Sequence, residues 1–176
     1  MNPIDPDNSV LMLIDFQQRL MPAIDRAQDR IANAARLLAA ARLLSLPAVH
    51  TEQNPRGLGP TVPELAPEGP ALAKMSFDAL AEDHIAQALP PSAALVVAGC
   101  EAHICVMQTV LAALRQGRRV HVVADAVGSR SPENHVAALA RMAAAGADVV
   151  TVEMVLFEWL RSAGHPAFRQ VAALIR

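Results

Sequence analysis

Apolar positions along the chain follow two periods, and the two alternate. Ser9-Val-Leu-Met-Leu-Ile-Asp15 is a continuous apolar run closed by a carboxylate. Such a run reads as a parallel strand buried on both faces. From Ala23 to Leu46 the period changes: Ile24, Ile31, Ala34, Ala35, Leu38 and Ala41 recur at helical spacing, which predicts one long amphipathic helix. Pro47 stops it, and Ala48-Val-His-Thr51 is a short second strand. The helix joins two parallel strands, hence a right-handed βαβ unit. Glu52 to Pro70 is rich in Pro and Gly and predicts a long surface loop. Long loops in compact domains tend to be functional.

The alternation continues to the end. Pro70–Phe77 is a short strand, Glu82–Leu89 a short helix ended by Pro90-Pro91, and Ala93–Ala98 a buried strand. A helix follows from about Ile104 to Gln116 and is closed by Gly117. Arg119–Asp125 and Asp148–Val152 are further strands, separated by a helix over 134–145 with Ser and Pro at its start. Met154–Ser162 and Ala167–Ile175 are terminal helices. This order predicts an α/β doubly wound fold, a three-layer αβα sandwich on a mostly parallel six-stranded sheet, with residues 1–176 as one domain.

Composition removes several function classes. Hydrophobic residues make up 53% of the 176, so disorder is not expected. Tyr is absent, one Trp is present and the net charge is −2 with scattered basic residues. No footprint for nucleic acid or an anionic membrane follows. The acidic start lacks the basic-then-apolar order of a signal peptide. The two cysteines, Cys100 and Cys105, give neither a disulfide framework nor a zinc spacing. A cytoplasmic location fits that usage.

The candidate chemistry sits at strand ends. In a parallel sheet the C-terminal ends share one rim, where ligands bind. Asp15 ends the first strand, and it can line a site, cap the next helix, or both. Lys74 lies in an otherwise apolar strand. It either pairs with a carboxylate or snorkels at a sheet edge. Cys105 stands where a strand restarts as a helix after Gly99. There the helix dipole and unpaired N–H groups would favour a thiolate, although a free cysteine is also a common small buried hydrophobe. If the three converge, Asp15 can accept the thiol proton while Lys74 holds the carboxylate and lowers the thiol pKa. The loop residues Glu52 and Arg56 could lean over the same rim.

Three segments carry a resemblance: Leu-Ile-Asp-Phe-Gln17, Ala-Lys-Met-Ser-Phe77 and Gly-Cys-Glu-Ala-His-Ile-Cys-Val-Met-Gln-Thr109. In that order they resemble the isochorismatase-like cysteine hydrolases, which include nicotinamidases and related amidases. Thr51–Leu65 is most similar to the isochorismatase domain-containing proteins. The resemblance implies a triad of Asp15, Lys74 and Cys105 and a thioester on Cys105. It also implies an oxyanion hole made by the backbone N–H groups of Glu101 and Cys105, and a non-proline cis peptide at Cys100–Glu101. It points to a cysteine-dependent hydrolase of a small carboxamide or related C–N bond. The alternatives are a non-enzymatic ligand-binding or redox-responsive module, or isochorismatase-type hydrolysis. The last is disfavoured because isochorismatases proper lack the cysteine. Pocket walls are expected from Phe16, Gln17, Glu52, Ser76, Phe77 and Ala102.

The metal-binding nicotinamidases carry Asp-x-His after the second strand, whereas this chain reads His50-Thr-Glu-Gln-Asn-Pro. No metal and no cofactor are expected, since zinc needs three or more ligands. His84, His121, His135 and His165 read as structural. His103 is the one histidine near the candidate site. Cys100 reads as packing, with a reversible disulfide to Cys105 as its other use. The expected partners are a small-molecule substrate and further copies of the chain, through Ala-rich helices and the Met154-Val-Leu-Phe157 run.

Overall fold

A strand with apolar side chains on both sides must be covered twice, and the fold follows from that. In the computed structural model, which describes residues 3–175, the central strand β1 (Ser9–Ile14) sends Leu11 and Leu13 into one core layer and Val10, Met12 and Ile14 into the other. Six strands pair in the order β3-β2-β1-β4-β5-β6, and every pairing is parallel. Their ranges are β2 Ala48–Gln53, β3 Leu72–Lys74, β4 Ala94–Cys100, β5 Val120–Gly128 and β6 Asp148–Val150. Helices α1 (Ala27–Leu43), α6 (Val152–Leu160) and α7 (Phe168–Ala173) cover one face with Leu37, Leu38, Leu156 and Trp159. Helices α3 (Asp83–Ala88), α4 (Met107–Arg115) and α5 (Pro132–Ala144) cover the other with Ile85, Val110, Ala138 and Met142. This is the expected α/β sandwich, and its sheet is wholly parallel.

The chain runs outward from β1 to β2 and β3, then returns to β4 and runs outward the other way. The switch point therefore lies between β1 and β4, where a doubly wound sheet opens a crevice. These strands approach closely there. A Cβ on Gly99, whose φ is +153°, would lie 2.5 Å from the Ile14 carbonyl oxygen, so only glycine fits.

Several boundaries differ from expectation, each for a local reason. The first long helix begins at Ala27. Residues 21–23 form a separate 3₁₀ turn, and Arg26 is in the left-handed conformation. Strand β2 continues to Gln53 because β3 pairs with its last residues. Helix α6 begins at Val152, since the Thr151 hydroxyl accepts the Met154 N–H and so caps it. The 52–70 segment is no plain covering loop. It contains helix α2 (Pro55–Leu58) and a 3₁₀ turn at 63–65, and it is stitched to the segment after β1. The Gln18, Arg19 and Val62 N–H groups donate to the carbonyls of Pro60, Leu58 and Phe16. No described helix is long and apolar enough to cross a membrane.

Candidate active site

Asp15 is the first residue after β1 and has a left-handed φ of 56°, which turns the chain sharply at the rim. Its carboxylate is buried and doubly held. Oδ1 accepts from the Thr51 hydroxyl at 2.8 Å, and Oδ2 accepts from Lys74 Nζ at 2.7 Å. Lys74 is the last residue of β3, and its side chain is fully buried. It also donates to Gln53 Oε1 at 2.6 Å and to the Ser76 carbonyl at 3.3 Å. The expected pairing of Lys74 with a carboxylate is present, and its ammonium has no route to solvent.

Cys105 enters from β4. The Cys100–Glu101 peptide is cis. Residues Ala102–Val106 form one π-helical turn that leads into α4, and π-turns recur at functional sites. Within it the Ile104 and Val106 N–H groups both donate to the Glu101 carbonyl, at 3.0 and 3.2 Å. The Glu101 N–H has no acceptor among the described residues. Cys105 is only 6% exposed. It shares a pocket of about 100 Å³ with Asp15, Leu20, Gln53, Leu58, Phe77, Glu101 and Ile104.

The expected thiolate is not the resting form. Burial pushes the Cys105 thiol up to about 12; the neighbouring Asp15 carboxylate adds to the rise, and Lys74 opposes it. Asp15 and Lys74 act on the thiol in opposite directions, which leaves desolvation as the dominant influence. Cys105 is therefore a neutral thiol set beside a carboxylate that is paired with Lys74.

Of the expected pocket residues, only Phe77 lines the cavity, together with Glu101 of the expected oxyanion hole. The others do not line it. Phe16 and Ala102 are buried in the two core layers. Gln17 is a clamp: its Nε2 donates to the Gln53 and Gly59 carbonyls, and its Oε1 accepts the Gln53 N–H. Glu52 accepts from the Thr61 N–H and hydroxyl, and the Ser76 N–H donates to Glu82. Arg56 offers its carbonyl to Arg19 rather than its side chain to the pocket.

The expected 52–61 loop does supply walls, through Gln53 and Leu58 rather than Glu52, and the walls that sequence reasoning missed are Leu20 and Ile104. Period-two alternation could have found Gln53. Thr51 and Gln53 share one face of β2 and reach Asp15 and Lys74, while His50 and Glu52 face the other way.

Cys100 and Cys105 belong to opposite core layers, so the disulfide use of Cys100 is not supported by this arrangement. His103 bonds Ser129 Oγ through Nδ1 at 3.0 Å and lies 3.4 Å from the Asn134 amide nitrogen. It does not line the pocket. No group of three or more His, Cys, Asp or Glu that could hold a metal occurs among the described residues.

His50 is buried, its Nδ1 is unpartnered, and its pKa is lowered to about 4, first by burial and then by Arg42. A base depressed in the folded state holds fewer protons than in the unfolded chain. Its stabilising contribution is present above pH 6.5 and is lost as pH falls toward 4. Between pH 7 and 5 this amounts to about 2 kcal/mol. His50→Gln should flatten the stability-against-pH curve by that amount in urea titrations. Parallel curves for the two proteins would show that His50 is not the titrating group.

The doubly wound sheet, with its buried ion pair and thiol at the switch point, defines an α/β protein of the isochorismatase type. The chain belongs to the isochorismatase family, whose isochorismatase domain matches residues 9–154. Isochorismatase domain-containing protein 2 of Xenopus laevis is 42% identical over 96% of this chain and 83% of its own length. Among solved structures, the MAR1 ribonuclease of Caenorhabditis elegans superposes with a TM-score of 0.90 at 36% identity, covering 99% of this chain and 92% of that one. YcaC from Pseudomonas aeruginosa, solved with hexane-2,5-diol and covalent acrylamide, gives 0.86 at 30% identity over 99% and 96%. The Escherichia coli ycaC gene product, an octameric hydrolase of unknown specificity, gives 0.88 at 26% over 99% and 88%.

Proposed function

We propose that the protein is a cysteine-dependent hydrolase of a small carboxamide or related C–N bond. The observation that carries this reading is the meeting of a cation-held carboxylate with a neutral thiol in one small pocket. Asp15 takes the thiol proton as Cys105 sulfur attacks the carbonyl carbon. The C–S bond forms, and the carbonyl electron pair moves onto oxygen. The N–H groups of Glu101 and Cys105 receive that oxygen; an oxyanion donor of this kind is worth roughly 100- to 1000-fold in rate. The C–N bond then breaks, and the proton held on Asp15 leaves with the amine. Water attacks the thioester, gives a proton back through Asp15 to the thiol, and releases the acid. Lys74 holds the Asp15 carboxylate in place between the two halves of the reaction.

The covalent acrylamide on the Pseudomonas relative supports a reactive nucleophile on this scaffold. The ribonuclease named for the nematode relative is not carried over, because the basic residues of this chain are scattered and leave no footprint for nucleic acid. We also read the chain as a homo-oligomer, supported by the octameric relative and by half-exposed Met154 and Phe157; sedimentation at micromolar concentration reads this directly. In the Met154-Val-Leu-Phe157 run, Val155 and Leu156 are core residues. The test of the hydrolase reading is a panel of small amides assayed for ammonia, with intact-mass detection of an acyl adduct on Cys105. Ammonia and adduct are expected together. Release without any dependence on Cys105 would remove the proposal.

A further inference from the structure

We propose that the cavity between the end of α1, the start of β2 and the 67–70 segment binds a small carboxylate with an apolar body, held by His50 and Arg42. The cavity measures about 330 Å³, within the range of small-molecule sites. It shares no residue with the pocket at Cys105, and the proposal does not depend on the hydrolase reading. Leu38, Ala41, Leu46, Val49, Pro70 and Leu72 supply its apolar walls. Three of its lining side chains can ionise: Arg42, His50 and Glu68.

His50 is the anchor. It is 7% exposed, and neither ring nitrogen has a hydrogen-bond partner among the described residues. Nδ1 is sealed, Nε2 is not, and the side chain lines this cavity. The ring is neutral at pH 7, since its pKa lies at about 4. A buried N–H without an acceptor forfeits its hydration in full. The single proton therefore belongs on Nε2, which offers it to the cavity.

Arg42 adds positive charge. Its Nε pairs with Glu68 at 2.9 Å, its Nη2 donates to the Ala66 carbonyl at 3.3 Å, and its Nη1 has no partner among the described residues. After burial, Arg42 is the largest influence on the His50 ring. Glu52 opposes it, but the Glu52 carboxylate is taken by the Thr61 N–H and hydroxyl and does not line the cavity. Glu68, whose side chain is 79% exposed, is not felt at His50. The polar groups left for a ligand are thus donors. A carboxylate would accept from Nε2 in a charge-assisted bond and lie near the guanidinium, while its apolar body covers the aliphatic walls. A ligand cation would meet only Glu68, which is already paired.

Equilibrium dialysis of the full chain against radiolabelled benzoate, benzyl alcohol and benzylammonium at neutral pH tests this. Benzoate should bind saturably, and roughly tenfold or more tighter than benzylammonium, as expected where a buried donor meets a charged acceptor. His50→Leu keeps the bulk and removes both nitrogens, so benzoate should bind roughly tenfold or more weaker. The same change deletes the unpartnered Nδ1, so the fold should persist, which melting by circular dichroism checks. His50→Gln keeps an amide donor near the position of Nε2 and should retain most of the binding. Arg42→Met, at a half-exposed side chain, should weaken benzoate about two- to fivefold and leave benzyl alcohol unchanged.

Absence of saturable benzoate binding would overturn the proposal. So would equal affinity for benzylammonium, a result read on the native protein alone. Benzoate binding that His50→Leu leaves unchanged would put the ligand elsewhere and overturn it as well. None of these measurements needs turnover, so the hydrolase can fail without this site and this site without the hydrolase.

Discussion

Cys105→Ala should abolish the proposed amide hydrolysis and leave the fold in place. The loss should be about 10⁴-fold or more, because removal of a nucleophile that acts with its proton acceptor stops the whole unit. The cost in stability should be small. The side chain is buried, but deletion of one sulfur leaves a space that opens onto the pocket rather than a sealed void, so about 1 kcal/mol is expected. For a chain of this size that lowers the melting temperature by about 2–4 °C. Turnover by initial rate and melting by circular dichroism separate the two effects. Comparable turnover in the variant would mean that the carbonyl is attacked by something other than this sulfur. A collapse in melting temperature would mean that the cysteine serves the core instead.

The same residue shows where the sequence was legible and where it was not. The rim was readable, because a strand's last residue is fixed by where the apolar run stops. Asp15 is legible in that way and Lys74 as the one cation inside an otherwise apolar strand, and the structure joins them at 2.7 Å. The turn after β4 was readable from Gly99 onward, since the Ile14 carbonyl leaves no room for a Cβ there. The state of the thiol was not readable. It depends on the balance between burial and a neutralised ion pair, and no spacing along the chain reports either.

The pocket walls failed for a different reason. Phe16 and Gln17 follow Asp15 in sequence, but the left-handed turn at Asp15 sends Phe16 into the core and Gln17 under the 53–59 segment. Glu52 reads as a site residue only while β2 stops at Thr51, two residues short of its end at Gln53. Continued to Gln53, the alternation carries Thr51 and Gln53 to the rim and turns Glu52 toward Thr61. Leu20 and Leu58 reach the pocket only because two distant segments pair across Gln17 and Thr61, a long-range contact invisible in either segment alone.

Lys74→Met should be the most destabilising single change in the site. The ammonium and the carboxylate are both sealed from solvent, with side-chain exposures of 0% and 1%. Removal of the cation leaves the Asp15 charge buried with one hydroxyl donor, and leaves Gln53 Oε1 without its donor. Breaking such a pair from one side typically costs 3–5 kcal/mol, about 6–20 °C in melting temperature for a protein of this length.

The sign of the pH dependence identifies the cause. An uncompensated buried carboxylate gains by taking up a proton, so the folded variant binds that proton more readily than its unfolded chain does. Its deficit relative to the native protein should therefore be larger at pH 8 than at pH 5. The His50 contribution is common to both proteins and cancels in the comparison. Asp15→Asn combined with Lys74→Met removes both charges, and it should recover most of the lost stability without recovering any activity. A deficit below about 1 kcal/mol that ignores pH would show that the pair is open to water. In that case Lys74 could not hold Asp15 in place against a buried thiol, and proton transfer from Cys105 would need another acceptor.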